Sequence, residues 1–267
     1  MTVAIIGAGV MGETLISGLL RAGRRPEELL VGEKRRERAA ELEERYGVRV
    51  LPNLEAAAAA DTVVLVVKPQ DMGDVLDELA PVVRPGQLVV SLAAGITTAF
   101  METRLSEGVA VVRVMPNTPA LVDEGMAAIS RGAHCDEAHL VEVEALMSAT
   151  GKVVRVPERQ QDAVTAISGS GPGYIFFVVE SMIEAGVHLG LPRSVASELV
   201  VQTVVGSAKL LRDTGEHPVV LRERVTSPAG TTAAALRQLE DHKVRAAFLT
   251  AIEAARDRSR ALAAGLD

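Results

Sequence analysis

The stretch TVAIIGAGVMG, residues 2–12, constrains the fold of this chain more than any other. A short apolar run meets three closely spaced glycines, Gly7, Gly9 and Gly12, and the helix-like segment ETLISGLLRAG follows at once. The spacing G-x-G-x-x-G is weak by itself, but between a strand and a helix it marks the phosphate-binding turn of a doubly wound sheet. Gly7 permits the tight turn, Gly9 lets a pyrophosphate approach the backbone, and Gly12 allows the helix to pack closely on the strand. The helix N-terminus then presents unpaired N–H groups and the positive end of its dipole to the phosphate charge. Ala8, Val10 and Met11 complete the expected cofactor-binding turn.

From that turn onward, short β-branched runs alternate with helical stretches. VAIIG, LLVGE, TVVLVV, LVVSLA, AVVRVM and KVVRV are nearly continuous apolar runs, the pattern of strands buried on both faces of a parallel sheet. Between them lie KRRERAAELEERYG, QDMGDVLDELAPVV and DEAHLVEVEALMSATG, each closed by Gly or followed by Pro. The alternation implies right-handed crossovers and an N-terminal Rossmann-type, doubly wound, mostly parallel α/β domain over residues 1–157. After Pro157 the strand signals stop, and three long segments with helical spacing predict an all-helical C-terminal domain over residues 158–267.

Composition narrows the function classes. The net charge of -7 argues against wide nucleic-acid or anionic-membrane surfaces, and the absence of Trp and an aromatic share of 2% leave little for base stacking. A single cysteine, Cys135, excludes an intrachain disulfide framework and fits a reducing cytoplasm. The apolar N-terminus is read as neither signal peptide nor membrane span, because it lacks a basic n-region and is broken by glycines and Glu13. TVVLVV is boxed between Asp61 and Lys68, too short to cross a bilayer.

About twenty residues beyond the glycines, an NAD-selective protein carries an acid for the ribose hydroxyls. Glu33 occupies that place, but Lys34, Arg35 and Arg36 follow it directly, a cluster able to neutralise a 2′-phosphate. This favours NADPH and leaves NADH open. VVKPQ ends a central strand, so Lys68 and Pro69 fall at the carboxyl edge where doubly wound folds bind ligands. SLAAGI and MPNTPA end the next two strands with small residues or prolines, leaving room for a nicotinamide.

Two segments interrupt the helical half. ISGSGPGY, residues 167–174, reads either as a close approach to the nicotinamide and a partner subunit or as a kink with a cap. VTSPAGTTAAAL, residues 225–236, crowds Thr226, Ser227, Thr231 and Thr232 around Pro228, Ala229 and Gly230. Glu180, Glu184 and His188 share one helix face without a matching ligand set, the mark of a solvated or interfacial stripe.

GAGVMGE, VVKPQ, SLAAGI, VMPNTPA, SGSGPGY and VTSPAGTT occur in the order and spacing of the pyrroline-5-carboxylate reductases, which this chain resembles over nearly its whole length. The resemblance implies NAD(P)H-dependent reduction of Δ1-pyrroline-5-carboxylate to L-proline, the last step of proline synthesis. It also implies a C-terminal helical domain that interlocks two subunits, often as pentamers of dimers. Carried over by position, Ser227 would bind the substrate carboxylate together with the backbone N–H groups of Thr231 and Thr232. The Thr232 hydroxyl would meet the ring nitrogen, and Glu158 would lie near the substrate. Asn53, Lys68 and Ala94 fall where the family touches NADPH. Ala229 stands where the family has Gly, so the turn is expected to avoid a positive φ there. Arg224 stands where some members have Asn, and no ligand role is transferred to it.

With that resemblance the hydroxyl-rich turn has a reason. Pro228 and Gly230 shape it, Thr231 or Thr232 is expected to cap the helix that follows, and the helix start offers an anion site for one carboxylate. Thr232 can donate to or accept from an adjacent nitrogen, so the expected ligand is a small imino acid. A protonated cyclic imine is already electrophilic, in keeping with five scattered His residues and no acid–base pair. Three rivals remain: a related imine reductase, a β-hydroxyacid dehydrogenase and a non-catalytic NADPH-binding sensor. The dehydrogenase is disfavoured because SGSGPGYIFF lacks the lysine that such enzymes carry at the start of their helical domain.

Overall fold

In a computed structural model, residues 1–265 are described. The chain runs β1 (Val3–Ile6), α1 (Val10–Arg21), β2 (Leu29–Gly32), α2 (Arg36–Tyr46), β3 (Arg49–Leu51), α3 (Asn53–Ala59) and β4 (Thr62–Leu65). It continues through α4 (Met72–Leu79), β5 (Leu88–Ser91), α5 (Thr98–Glu102), β6 (Ala110–Met115), β7 (Gly125–Arg131), α6 (Glu137–Met147) and β8 (Gly151–Arg155). The helical remainder is α7 (Gln161–Val164), α8 (Gly171–His188), α9 (Arg193–Thr214), α10 (Pro218–Arg224), α11 (Thr231–Asp241) and α12 (Val244–Ala264).

The eight strands form one sheet in the order β3-β2-β1-β4-β5-β6-β7-β8. The first six are parallel; β7 runs antiparallel to β6 and carries β8 parallel beside it. The order reverses between β1 and β4, which puts the ligand crevice at their carboxyl ends. All four residues of β1, β2, β4 and β5 are buried, because successive side chains serve opposite faces and both faces are covered. Ile5, Val64 and Val90 pack with Leu15 and Ile16 of α1 and Val143 of α6. Ile6, Val63 and Val89 pack with Met72 and Leu76 of α4 and Met101 of α5.

Six of these strands are the runs read from the sequence. β3 is only three residues long, and β7 (GMAAISR) is half built of Gly, Ala and Ser, so neither shows the β-branched run that marks the others. The helical pattern from residue 162 onward, expected to break at residues 167–174, is broken slightly earlier by a π-type turn over Thr165–Gly169. The last segment also divides into two helices at Lys243, which adopts a left-handed φ of 55°.

Two compact units are formed, one from Met1–Ser170 with the stretch from Ala255, the other from Gly171–Ala254. The first therefore extends past the sequence-based division at Pro157. Physical ties explain the extension: Gln161 donates to the Ala128 carbonyl at 3.2 Å and the Ser130 hydroxyl at 2.8 Å. Asn117 donates to the Ser168 carbonyl at 3.0 Å, and buried Ser259 of α12 donates to Asp162 at 2.8 Å. Within the second unit, Ala196 of α9 is buried against Gly186 of α8. Elsewhere the unit leaves apolar surface uncovered, with Phe176 67%, Phe177 70% and Leu249 65% exposed. Among the described residues one helix, α9, is long and apolar enough to cross a membrane by length and composition, and only 11% of its most apolar stretch is buried.

Candidate active site

The turn between β1 and α1 is built as a phosphate cradle. Gly7 has φ 94°, and a Cβ there would lie 2.6 Å from the Val66 carbonyl oxygen. A Cβ on Gly12 would lie 2.2 Å from the Gly7 carbonyl oxygen, so α1 can start here only with glycine at both places. Gly9 is the N-cap, no side chain caps the helix, and nothing approaches the position of its missing Cβ within 4 Å. The first turn of α1 thus keeps donor N–H groups facing open space, which fits a dinucleotide pyrophosphate. Ala8 is buried, Met11 is half-buried and Val10 is exposed.

Glu13, in that same first turn, would repel an anion if its charge stood alone. Burial pushes its carboxyl up, but hydrogen bonds from Arg38 and Tyr46 and the charges of Arg38 and Arg45 outweigh this and leave it below the usual range. Arg45 donates at 2.9 Å, Tyr46 at 2.8 Å, and Arg38 forms a very short pair with it. Arg38 also donates to the Ala8 carbonyl at 3.2 Å. The sequence reading missed Arg38, because only its fold-level proximity to the glycine turn marks it.

At the end of β2 the acid and the bases pair with one another. The Glu33 side chain is 8% exposed and accepts from the Arg35 main-chain N–H at 2.9 Å and from its guanidinium at 3.0 and 3.1 Å. The Arg35 hydrogen bonds hold the Glu33 carboxyl below the usual range despite partial burial. Lys34 Nζ lies 3.0 Å from Glu78 Oε2, while Asn53, buried at the start of α3, donates to Glu78 Oε1 at 3.5 Å. Glu78, also missed from the sequence, therefore links two expected cofactor residues. Both Lys34 and Arg35 keep most of their side-chain surface open, at 71% and 68%.

Lys68 follows β4 in an extended conformation set by Pro69, and its side chain is exposed. Ala94 is half-buried in the loop from β5 to α5, where Ser91 Oγ accepts from the Ala93 N–H at 3.2 Å. After β6, Asn117 accepts from the Met126 N–H at 2.8 Å. A Cβ at Gly169 would meet the Met115 side chain at 2.5 Å, so ISGSG is a close approach onto VMPNTPA as well as a helix irregularity. Glu158 accepts from the Thr98 N–H at 2.7 Å and the Thr98 hydroxyl at 2.6 Å, with Arg113 at 3.5 Å.

In the second unit, the Gly230 N–H closes the turn onto the Ser227 carbonyl at 3.0 Å, and a Cβ on Gly230 would lie 2.4 Å from Ser227 Oγ. Two expectations need correction. The N-cap of α11 is Gly230, with Thr231 and Thr232 as its first helical residues and no side-chain cap. Ala229 does not avoid a positive φ; it sits at 55°, because the turn between Ser227 and α11 needs a left-handed residue whichever side chain is there. That conformation costs an alanine about 1 kcal/mol relative to glycine. Ala229→Gly should therefore raise stability by about 1 kcal/mol, read as a higher midpoint in urea at unchanged slope. The absent cap leaves the first N–H groups of α11 open beside Ser227. Thr226 turns away, donating to the Arg222 carbonyl at 2.6 Å, and Arg224 pairs with Glu216 at 2.6 Å.

The family described as pyrroline-5-carboxylate reductase dimerisation matches residues 158–262, and the NADP oxidoreductase, coenzyme F420-dependent, family matches residues 2–95. The chain is 46% identical to a pyrroline-5-carboxylate reductase of Corynebacterium melassecola, covering 98% of each protein. It is 44% identical to that of Mycobacterium tuberculosis (strain ATCC 25618 / H37Rv), over 97% of this chain and 96% of the relative. Among solved structures, a pyrroline-5-carboxylate reductase from Coxiella burnetii superposes with a TM-score of 0.94 at 36% identity, covering 98% of both chains. Plasmodium falciparum pyrroline carboxylate reductase with NADP bound gives 0.88 at 29% identity, again over 98% of both.

Proposed function

The chain belongs to the pyrroline-5-carboxylate reductase family, and we propose that it reduces Δ1-pyrroline-5-carboxylate to L-proline with NADPH. The observation that carries this reading is the pair of uncapped helix starts, α1 behind the glycine turn and α11 behind Ser227 and Gly230. Each offers N–H groups and a positive dipole end to an anion. The first fits a pyrophosphate, bound by Gly7, Ala8, Gly9, Val10, Met11 and Gly12, with Asn53, Lys68, Pro69 and Ala94 around the rest of the dinucleotide. The second fits a single carboxylate held by Ser227 and the N–H groups of Thr231 and Thr232.

The bound dinucleotide supplies the hydride that reduces the C=N bond. Thr232 is the residue assigned to the ring nitrogen: its hydroxyl can accept from the protonated imine and donate to the amine that replaces it. Orientation of the imino acid by its carboxylate then does most of the work, since the cation needs no further acid. An assay of nicotinamide oxidation with pyrroline-5-carboxylate tests this directly. Turnover with NADPH is expected; its absence with both NADPH and NADH would contradict the proposal.

Preference for NADPH is supported by the open cations of Lys34 and Arg35 at the β2 edge. Charged hydrogen bonds to a phosphate contribute about 1.5–3 kcal/mol. The double variant Lys34→Ala/Arg35→Ala should lose about tenfold or more in kcat/KM for NADPH, and about twofold or less for NADH. Equal losses for the two cofactors would place the 2′-phosphate elsewhere. The uncovered apolar surface of the second unit supports a homodimer, and the assembly of such dimers into a decamer rests on the resemblance to the family alone. Cys135, buried and bonded to the Val111 carbonyl, supports a cytoplasmic enzyme that needs no disulfide. Its partner is a small imino acid, with neither nucleic acid nor membrane required.

A further inference from the structure

A buried polar cluster lies against the sheet at the carboxyl ends of β5 and β6, on the face shared with α4 and α5. The register sets Ser91 of β5 beside Arg113 of β6 and Arg113 beside Ser130 of β7, so the three side chains share that face. Gln161 of α7 donates to Ser130, and Glu158, just before α7, reaches Arg113 and Thr98. Ser91, Thr98, Arg113, Ser130 and Gln161 are all at most 6% exposed. Among the described residues, one Arg113 guanidinium nitrogen and the Gln161 amide oxygen, both buried, have no hydrogen-bond partner. Removing a guanidinium from water is costly, and apolar side chains would fill the same space more stably. The cluster therefore does something that packing alone would not.

What it ties down is the two ends of the loop of residues 92–97. Ser91 fixes the loop's beginning through the Ala93 N–H, and Glu158 fixes its end through both the N–H and the hydroxyl of Thr98. This loop follows β5, next to the end of β4 and on the opposite side of β1 from β2. The glycine turn after β1 takes the pyrophosphate and the β2 edge takes the adenosine ribose, which leaves the β5 side for the nicotinamide. We infer that Glu158 is a positioning residue, which holds the 92–97 loop, and with it the nicotinamide wall, through Thr98 against the buried Arg113. The inference rests on the reductase reading and deepens it. In this role both oxygens of the Glu158 carboxylate are used inside the protein, so it has no need of the imino acid that resemblance alone would give it.

Glu158→Gln keeps the size of the side chain but loses one of the two acceptor oxygens and the charge facing Arg113. Hydrogen exchange of the protein without dinucleotide should show the amides of residues 93–98 exchanging about fivefold faster or more. In steady-state assays kcat should fall roughly ten- to a hundredfold, with KM for pyrroline-5-carboxylate held within about twofold. Thr98→Val, which removes only the hydroxyl, should move both readouts in the same direction by less. Unchanged exchange in Glu158→Gln would overturn the inference. So would a raised KM at preserved kcat, the signature of direct substrate contact. If the unaltered protein shows no turnover, the reductase reading fails, while the exchange experiment still decides whether Glu158 holds the loop.

Discussion

Gly12→Ala should abolish useful dinucleotide binding, raising the Kd for NADPH about a hundredfold in a fluorescence titration, with a loss of roughly 1–3 kcal/mol in stability. The added methyl carbon would lie 2.2 Å from the Gly7 carbonyl oxygen, a backbone atom that no rotamer change can move aside. Gly7 cannot retreat either. Its N–H donates to the Gly32 carbonyl at 2.9 Å, and its own φ of 94° leaves no L-residue geometry to relax into. The start of α1 must therefore shift away from β1, and the N–H groups that would meet the pyrophosphate shift with it. Gly9→Ala is the instructive contrast, since nothing lies within 4 Å of its added carbon. Stability should change by about 0.5 kcal/mol or less, and a loss should appear only in binding, where the ligand's own approach is obstructed. A Gly12→Ala protein that bound NADPH within about threefold of the unaltered chain would remove the glycine turn from the account.

The second large effect is at Thr232. Thr232→Ala leaves the backbone N–H groups of α11 in place, so the carboxylate should still bind and KM for pyrroline-5-carboxylate should change little. What disappears is the hydroxyl assigned to the ring nitrogen, a polar contact worth about 1–3 kcal/mol in a desolvated site. The expected result is a fall in kcat/KM of about 5- to 150-fold, carried mainly by kcat, with α11 and the overall stability preserved. Thr232 lies in the first turn, where no native bond depends on its side chain capping the helix. A destabilised fold therefore cannot account for the loss. Full kcat/KM in this variant would show that the hydroxyl has no role.

The first unit was legible in the sequence because its information is local. Long β-branched runs such as TVVLVV and AVVRVM announce buried parallel strands, and the glycine spacing between β1 and α1 is itself a local signal, although Gly7 is required by the distant Val66 carbonyl as Gly12 is by Gly7. β7 was not legible, since its alanines satisfy a tightly packed sheet without any β-branched signature. Nor was the boundary of the first unit: Gln161 looks like an ordinary helix-start residue, and Glu158 is marked only by resemblance as a neighbour of the substrate, until the sheet brings Ser130 beside the one and Thr98 and Arg113 beside the other. The same limit hid Arg38 and Glu78, whose roles depend on side chains far along the chain that the crossovers bring close. At the turn of residues 226–232, the sequence drew attention to the residues but not to their geometry. Ala229 suggested a turn without positive φ, yet the path from Ser227 into α11 imposes one. The caps expected from Thr231 and Thr232 are absent, and that absence leaves the N–H groups available for a ligand.

The most direct test of the proposed chemistry is isotopic. NADPH carrying deuterium at the transferring position of its nicotinamide C4 is incubated with the protein and pyrroline-5-carboxylate, and the amino acid formed is examined by mass spectrometry and NMR. The expected product is L-proline with a single deuterium at C5, the carbon that belonged to the C=N bond. Unlabelled proline, label at any other carbon, or NADPH bound without any proline formed would contradict it.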